Sequence, residues 1–166
     1  MVRLIAAACA EAGLLALRFD LRGVGGSEGE STAGTAEWDD VAAAVDALAE
    51  LLPPGAPAGL AGYSFGAWLA AHHAARDDRV AALALVAPPP AVGGIPLPAD
   101  ALRGRPALAV AAEQDEAFPP ESVARSLARL GGGRIERIQG ADHLLHGAAE
   151  RVAALVAGFL ERSLPA

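Results

Sequence analysis

At 166 residues, 53% of them hydrophobic, the chain has enough apolar surface for one core and too little length for two ordinary domains. Its 20 acidic residues outnumber 13 basic ones, all arginine, and the net charge of -7 argues against nucleic acid and anionic membrane surfaces as partners. A single cysteine, Cys9, excludes an intramolecular disulfide and fits a reducing cytoplasm.

The chain opens on MVRLIAAACAEAG, which imitates a secretory signal with Arg3 ahead of an apolar run. That run is short and meets Glu11 and Gly13 at once, so residues 2–12 are expected to form a first helix with one buried face. No stretch approaches the roughly 18 uncharged apolar residues of a membrane span. LLALRFDL, residues 14–21, reads as a strand entering the glycine-rich turn RGVGGSEGE. From Thr35, the apolar positions Trp38, Val41, Val45, Leu48 and Leu52 recur at three and four, the spacing of one helical face, until Pro53 and Pro54 stop it. A short strand ends near Gly62, and a helix follows over residues 65–75. VAALALVA at 80–87 and PALAVAAE at 106–113 are continuous apolar runs of the kind found inside a covered sheet. A helix is expected over 120–130, with proline in its first turn and Gly131 past its end. RIERIQG, residues 134–140, alternates as a strand, and the last helix aligns Val152, Leu155, Val156, Phe159 and Leu160. Strands alternating with helices predict an α/β fold, a mostly parallel sheet with helices on both faces, in a single domain.

Gly62-Tyr63-Ser64-Phe65-Gly66 places G-x-S-x-G at a strand end that opens a helix, the position in which a serine is lifted for attack. Both glycines are expected to be required because the turn packs against neighbouring backbone. Two other residues follow strands at the same carboxyl edge: Asp115 after 106–113 and His143 after 134–139. A serine hydroxyl needs an imidazole to take its proton, and the imidazole needs a carboxylate to fix its tautomer. Glu113 and Glu116 share the loop with Asp115, and His146 lies near His143, so each remains an alternative for its partner's role. His72 and His73 sit mid-helix and read as surface or packing residues, and Trp38 as core. A metal held by Asp142, His143 and His146 lacks further ligands at matching spacing. GVGGSEG has Glu28 where a dinucleotide loop needs its third glycine, and no helix follows until about Thr35.

The segments LRFDLRGVGGSEG, GYSFGA, LVAPP, EQDEAFPPE and GADHLLHG together resemble the α/β-hydrolase superfamily, in particular its small bacterial members without a cap domain. The resemblance implies Ser64 as nucleophile, Asp115 as acid, His143 as base and the Phe65 backbone N-H as one oxyanion donor. It implies further that Asp20 and Arg22 shape the loop beside the site, that no cofactor or metal takes part, and that the partner is a small ester, thioester or amide substrate.

One departure carries its own expectation. Members of that superfamily begin with further strands and a loop that supplies the second oxyanion donor, whereas this sequence starts at the helix after that loop. The chain is therefore expected to be amino-terminally truncated and impaired as a hydrolase, the alternatives being a non-catalytic binding module or an inactive fragment. The strand at 14–21 must then either pair directly with the strand ending near Gly62 or leave a gap of one strand width, about 5 Å.

Overall fold

The computed structural model describes residues 1–164. Its elements in chain order are α1 (Val2–Glu11), α2 (Glu37–Glu50), β1 (Ala58–Tyr63), α3 (Phe65–Ala74), β2 (Val80–Val86), β3 (Ala91–Val92), β4 (Ile95–Pro96), β5 (Ala107–Ala112), α4 (Pro120–Leu130), β6 (Arg134–Ile138) and α5 (Ala149–Ser163). Four strands form one parallel sheet in the order β1-β2-β5-β6. Helices cover both faces, as the alternation of elements requires.

Side chains on a strand point alternately to opposite faces, so the apolar runs of β2 and β5 feed two cores at once. Leu83, Leu85, Ala107, Ala109 and Ala111 face one layer with Trp68 of α3, Val41 and Val45 of α2, and Val123, Leu127 and Leu130 of α4. Ala82, Ala84, Val86, Leu108, Val110 and Ala112 face the other, with Ile5 and Cys9 of α1 and Val152, Val156 and Leu160 of α5. The signal-like opening segment is thus the helix α1, whose Ile5 and Cys9 are buried beneath α5. Among the described residues, no helix is long and apolar enough to cross a membrane.

Residues 14–21 depart from expectation. They form no strand, and among the described residues the backbone of residues 15–19 makes no hydrogen bond to other backbone. Among the described residues β1 pairs with β2 alone, so direct pairing of 14–21 with β1 does not occur. The apolar residues suit a strand, but a strand exists only through its ladder, and among the described residues nothing pairs with this segment. What anchors it is side-chain chemistry further on: Arg22 forks onto Asp40 of α2, Nη2 to Oδ1 at 2.6 Å and Nε to both oxygens, while its backbone N-H donates to Oδ2 at 2.9 Å.

The β3-β4 hairpin was not foreseen, because two-residue strands leave no periodicity. It is tied to the core by the Trp68 indole, whose Nε1-H donates to the Ile95 carbonyl at 3.0 Å.

Candidate active site

Ser64 sits between the last residue of β1 and the first of α3, at φ 49 and ψ -117. Positive φ costs a side-chain-bearing residue energy and persists only where its surroundings enforce it. Here the Ser64 N-H donates to the Val86 carbonyl at 2.8 Å, and the Ser64 carbonyl accepts from Ala67 and Trp68 as α3 begins. The flanking glycines are not equivalent. A Cβ on Gly62 would lie 2.2 Å from the Gly66 carbonyl oxygen, whereas one on Gly66 would meet nothing within 4 Å. The expectation that both positions need glycine on steric grounds is therefore corrected: only Gly62 is constrained by close backbone.

Asp115 follows β5 and is 2% exposed. Its Oδ1 accepts from the backbone N-H groups of Ala117 at 3.0 Å and Phe118 at 2.8 Å, which aims Oδ2 at His143. The imidazole of His143, in the loop after β6, joins the two sides: Nδ1 lies 2.7 Å from Asp115 Oδ2, and Nε2 lies 3.1 Å from Ser64 Oγ. A hydroxyl, an imidazole and a buried carboxylate thus form one continuous chain at the carboxyl edge of the sheet. With Asp115 accepting at Nδ1, Nε2 of the neutral ring is left free to accept the hydroxyl proton. The Phe65 amide occupies the first position of α3, where helical N-H groups have no intrahelical acceptor and the dipole favours negative charge.

Tyr63 is a participant that the sequence reading missed. Its hydroxyl donates to the His143 carbonyl at 2.8 Å, and its ring stacks on the imidazole with centroids 5.8 Å apart. Burial, followed by the charges of Asp115 and Asp142, raises its pKa above the ordinary phenol value, which keeps the hydroxyl a donor. Phe118 meets the imidazole edge-on at 5.2 Å. The only available signal for Tyr63 was its adjacency to Ser64, since its partner is 80 residues away.

The alternatives weighed from sequence sit elsewhere. Glu113 accepts from the Gly140 N-H at 2.8 Å, and Glu116 is exposed. His146 pairs with Asp142 at 2.7 Å while His143 turns to Asp115, so Asp142, His143 and His146 do not converge on one point. His72 is buried, stacks on Trp38 and meets Trp68 at a tilt with centroids 4.4 Å apart, and His73 pairs with Asp77 at 3.1 Å. Asp20 holds the glycine-rich loop, accepting from Gly26 N-H at 3.4 Å and lying where a Cβ on Gly25 would fall.

The family described as alpha/beta hydrolase fold matches residues 2–103, more than half of the chain. The chain belongs to the alpha/beta hydrolase fold family. That match includes Ser64 and stops short of Asp115 and His143, which meet Ser64 through the tertiary fold. Among solved structures, an alpha-beta serine hydrolase homologue from Coxiella burnetii is 31% identical over 95% of this chain and 76% of its own, at a TM-score of 0.75. A serine hydrolase without a lid from Xanthomonas campestris is 27% identical over 99% of this chain and 73% of its own, at a TM-score of 0.79. A putative alpha/beta hydrolase from Agrobacterium tumefaciens, 24% identical over 99% of this chain and 79% of its own, superposes at 0.80 and shows the shared fold. An uncharacterised Rickettsia prowazekii protein is 36% identical over 77 residues, which span 46% of this chain and 32% of that relative.

Proposed function

We propose that this alpha/beta hydrolase fold chain is a serine hydrolase that cleaves an ester, thioester or amide of a small acyl group through an acyl-enzyme. The observation that carries the proposal is the unbroken chain from Ser64 Oγ through His143 to Asp115, with heavy-atom spacings of 3.1 and 2.7 Å. In this reading His143 Nε2 takes the Ser64 proton as Oγ bonds to the substrate carbonyl carbon, and Asp115 offsets the charge that appears on the ring. The carbonyl oxygen becomes an oxyanion facing the Phe65 N-H. Collapse breaks the bond to the alcohol, thiol or amine, which leaves with the proton from His143. Water then attacks the acyl carbon, gives its proton to His143, and the acid departs as that proton returns to Ser64.

The connection from β2 to β5 holds only the short β3-β4 hairpin. We therefore take the chain to be one domain with an open site, suited to small or exposed acyl groups and needing no cofactor. The buried thiol of Cys9 is compatible with a reducing cytoplasm.

The test is covalent labelling with a fluorophosphonate, followed by turnover on a panel of p-nitrophenyl esters. Labelling that is lost in Ser64→Ala supports the proposal. A folded chain that neither labels nor hydrolyses any ester is a binding module with the hydrolase fold, and the proposal is then wrong.

A further inference from the structure

We infer that Glu37 is a positioning residue for the proposed hydrolysis, acting through the loop 31–34 to fix the seat of Phe65 beside Ser64. This rests on the serine hydrolase reading. Glu37 is fully buried at the start of α2 and makes no ion pair among the described residues. A carboxylate taken out of water without a counter-ion survives only where donors replace its hydration. Four do so: Ser31 Oγ at 2.8 Å, Thr32 Oγ1 at 2.6 Å, Thr32 N-H at 2.7 Å and Gly34 N-H at 2.9 Å. Starting a helix requires far less than this.

The loop they hold is strained. Ala33 has φ 54 and Gly34 has φ 111, conformations that side-chain-bearing residues avoid and that persist when surrounding bonds over-determine them. Gly34 also lies against the residues that follow the nucleophile. A Cβ there would sit 3.1 Å from Trp68 Cζ3 and 3.6 Å from Phe65 Cε2. Phe65 and Trp68 stack with centroids 6.1 Å apart, and Trp68 is fully buried and hydrogen-bonded to Ile95. Close-packed interiors transmit displacement. The carboxylate therefore sets the loop backbone, the backbone sets the two rings, and the Phe65 ring sits on the residue whose N-H faces the developing oxyanion.

Glu37→Gln keeps the shape but turns one acceptor into a donor facing other donors. The expected result, measured per titratable Ser64, is a kcat on p-nitrophenyl acetate lowered about tenfold, less than deleting an oxyanion donor outright, with KM within about twofold. The Phe65 amide and Trp68 indole NMR resonances should shift while those of β6 stay in place. Gly34→Ala, which leaves the carboxylate untouched and pushes on Trp68, should lower kcat similarly, and the double variant should be no slower than the slower single variant. Wild-type kcat per site in folded Glu37→Gln overturns the inference, as does full additivity in the double variant. If Glu37→Gln does not fold, Ser31→Ala removes one donor of the four and is read the same way, with a smaller drop expected and no drop overturning the inference. If the wild-type chain itself never reacts with a fluorophosphonate, the hydrolase reading has failed. Unmoved Phe65 and Trp68 resonances in Glu37→Gln or Ser31→Ala would separately refute the packing coupling.

Discussion

Asp115 illustrates what a single side chain owes to sequence and what to its neighbours. Its loop offers three carboxylates within four positions, and spacing alone leaves Glu113 and Glu116 open as partners for His143. The decision comes from backbone donors, since Ala117 and Phe118 N-H groups clamp Oδ1 and leave Oδ2 directed at the ring. Asp115→Asn should therefore lower kcat on p-nitrophenyl acetate by about 1,000- to 10,000-fold, because an amide stabilises the wrong imidazole tautomer, while circular dichroism stays native. Tyr63→Phe removes the 2.8 Å bond to the His143 carbonyl but keeps the ring stack, so a loss of about 1 kcal/mol in stability is expected by thermal melting, with a smaller effect on kcat than at Asp115. The unequal glycines yield a sharper contrast. Gly62→Ala should prevent folding or abolish labelling of Ser64, whereas Gly66→Ala should retain soluble, labelled protein, since only the former places a Cβ against backbone. Nothing in G-x-S-x-G distinguishes these two positions until the backbone around them is known.

Among the elements, the long periodic ones were legible and the short or unpartnered ones were not. α2, α4 and α5 carry apolar stripes at helical spacing, and β2 and β5 carry unbroken apolar runs, so their existence follows from local pattern. The 14–21 segment also reads as a strand, yet among the described residues it takes no ladder partner, which only the sheet order reveals. The layer of α2 and α3 also sets the response to acid. His72 packs against both Trp38 and Trp68, where burial, reinforced by the Arg76 charge, lowers its pKa. The unfolded chain then binds a proton first as pH falls, so the contribution of neutral His72 is present above about pH 6.5 and is lost below it. Glu37 and Asp77 are held below the ordinary carboxylate range against the cost of their own burial: Glu37 by its hydroxyl and amide donors, and Asp77, lowered to about 2, chiefly by the Arg79 guanidinium. Both stay ionised in the folded chain after the unfolded chain would protonate, so their contribution is present above about pH 4 and disappears as pH falls further. Thermal melts should show the midpoint declining from pH 6.5 downward and more steeply below about pH 4. His72→Phe should flatten the upper part of that decline, and an unchanged slope would contradict this account of His72.

At the scale of the whole molecule, the sheet is well covered on both faces and has β1 and β6 as its two edges. Among the described residues β1 pairs only with β2, and the irregular segment 15–19 presents Leu15, Leu17 and Phe19, with Leu51 of the α2 carboxyl end, around an open depression of about 450 Å³. Unpaired strand edges and contiguous exposed apolar side chains favour association with other chains. The chain is expected to bind the dye ANS and to elute at concentration-dependent size in gel filtration. Leu17→Glu with Leu51→Glu should reduce both effects while leaving Ser64 labelling intact, because neither residue belongs to the Ser64-His143-Asp115 chain. Dye binding unchanged by both substitutions would place the exposed surface elsewhere.

Periodicity and run length by themselves determined the α/β class, most helix and strand positions and the three loops that carry Ser64, Asp115 and His143, because each depends on residues close together in the chain. Tertiary structure alone decided that segment 14–21 forms no strand, that Gly62 rather than Gly66 is sterically fixed, that Glu37 gathers the donors of loop 31–34, and that Tyr63 bonds the His143 carbonyl. Those outcomes depend on which backbone and side chains arrive from distant positions to supply hydrogen bonds or occupy space, and no local pattern encodes the identity of such a neighbour.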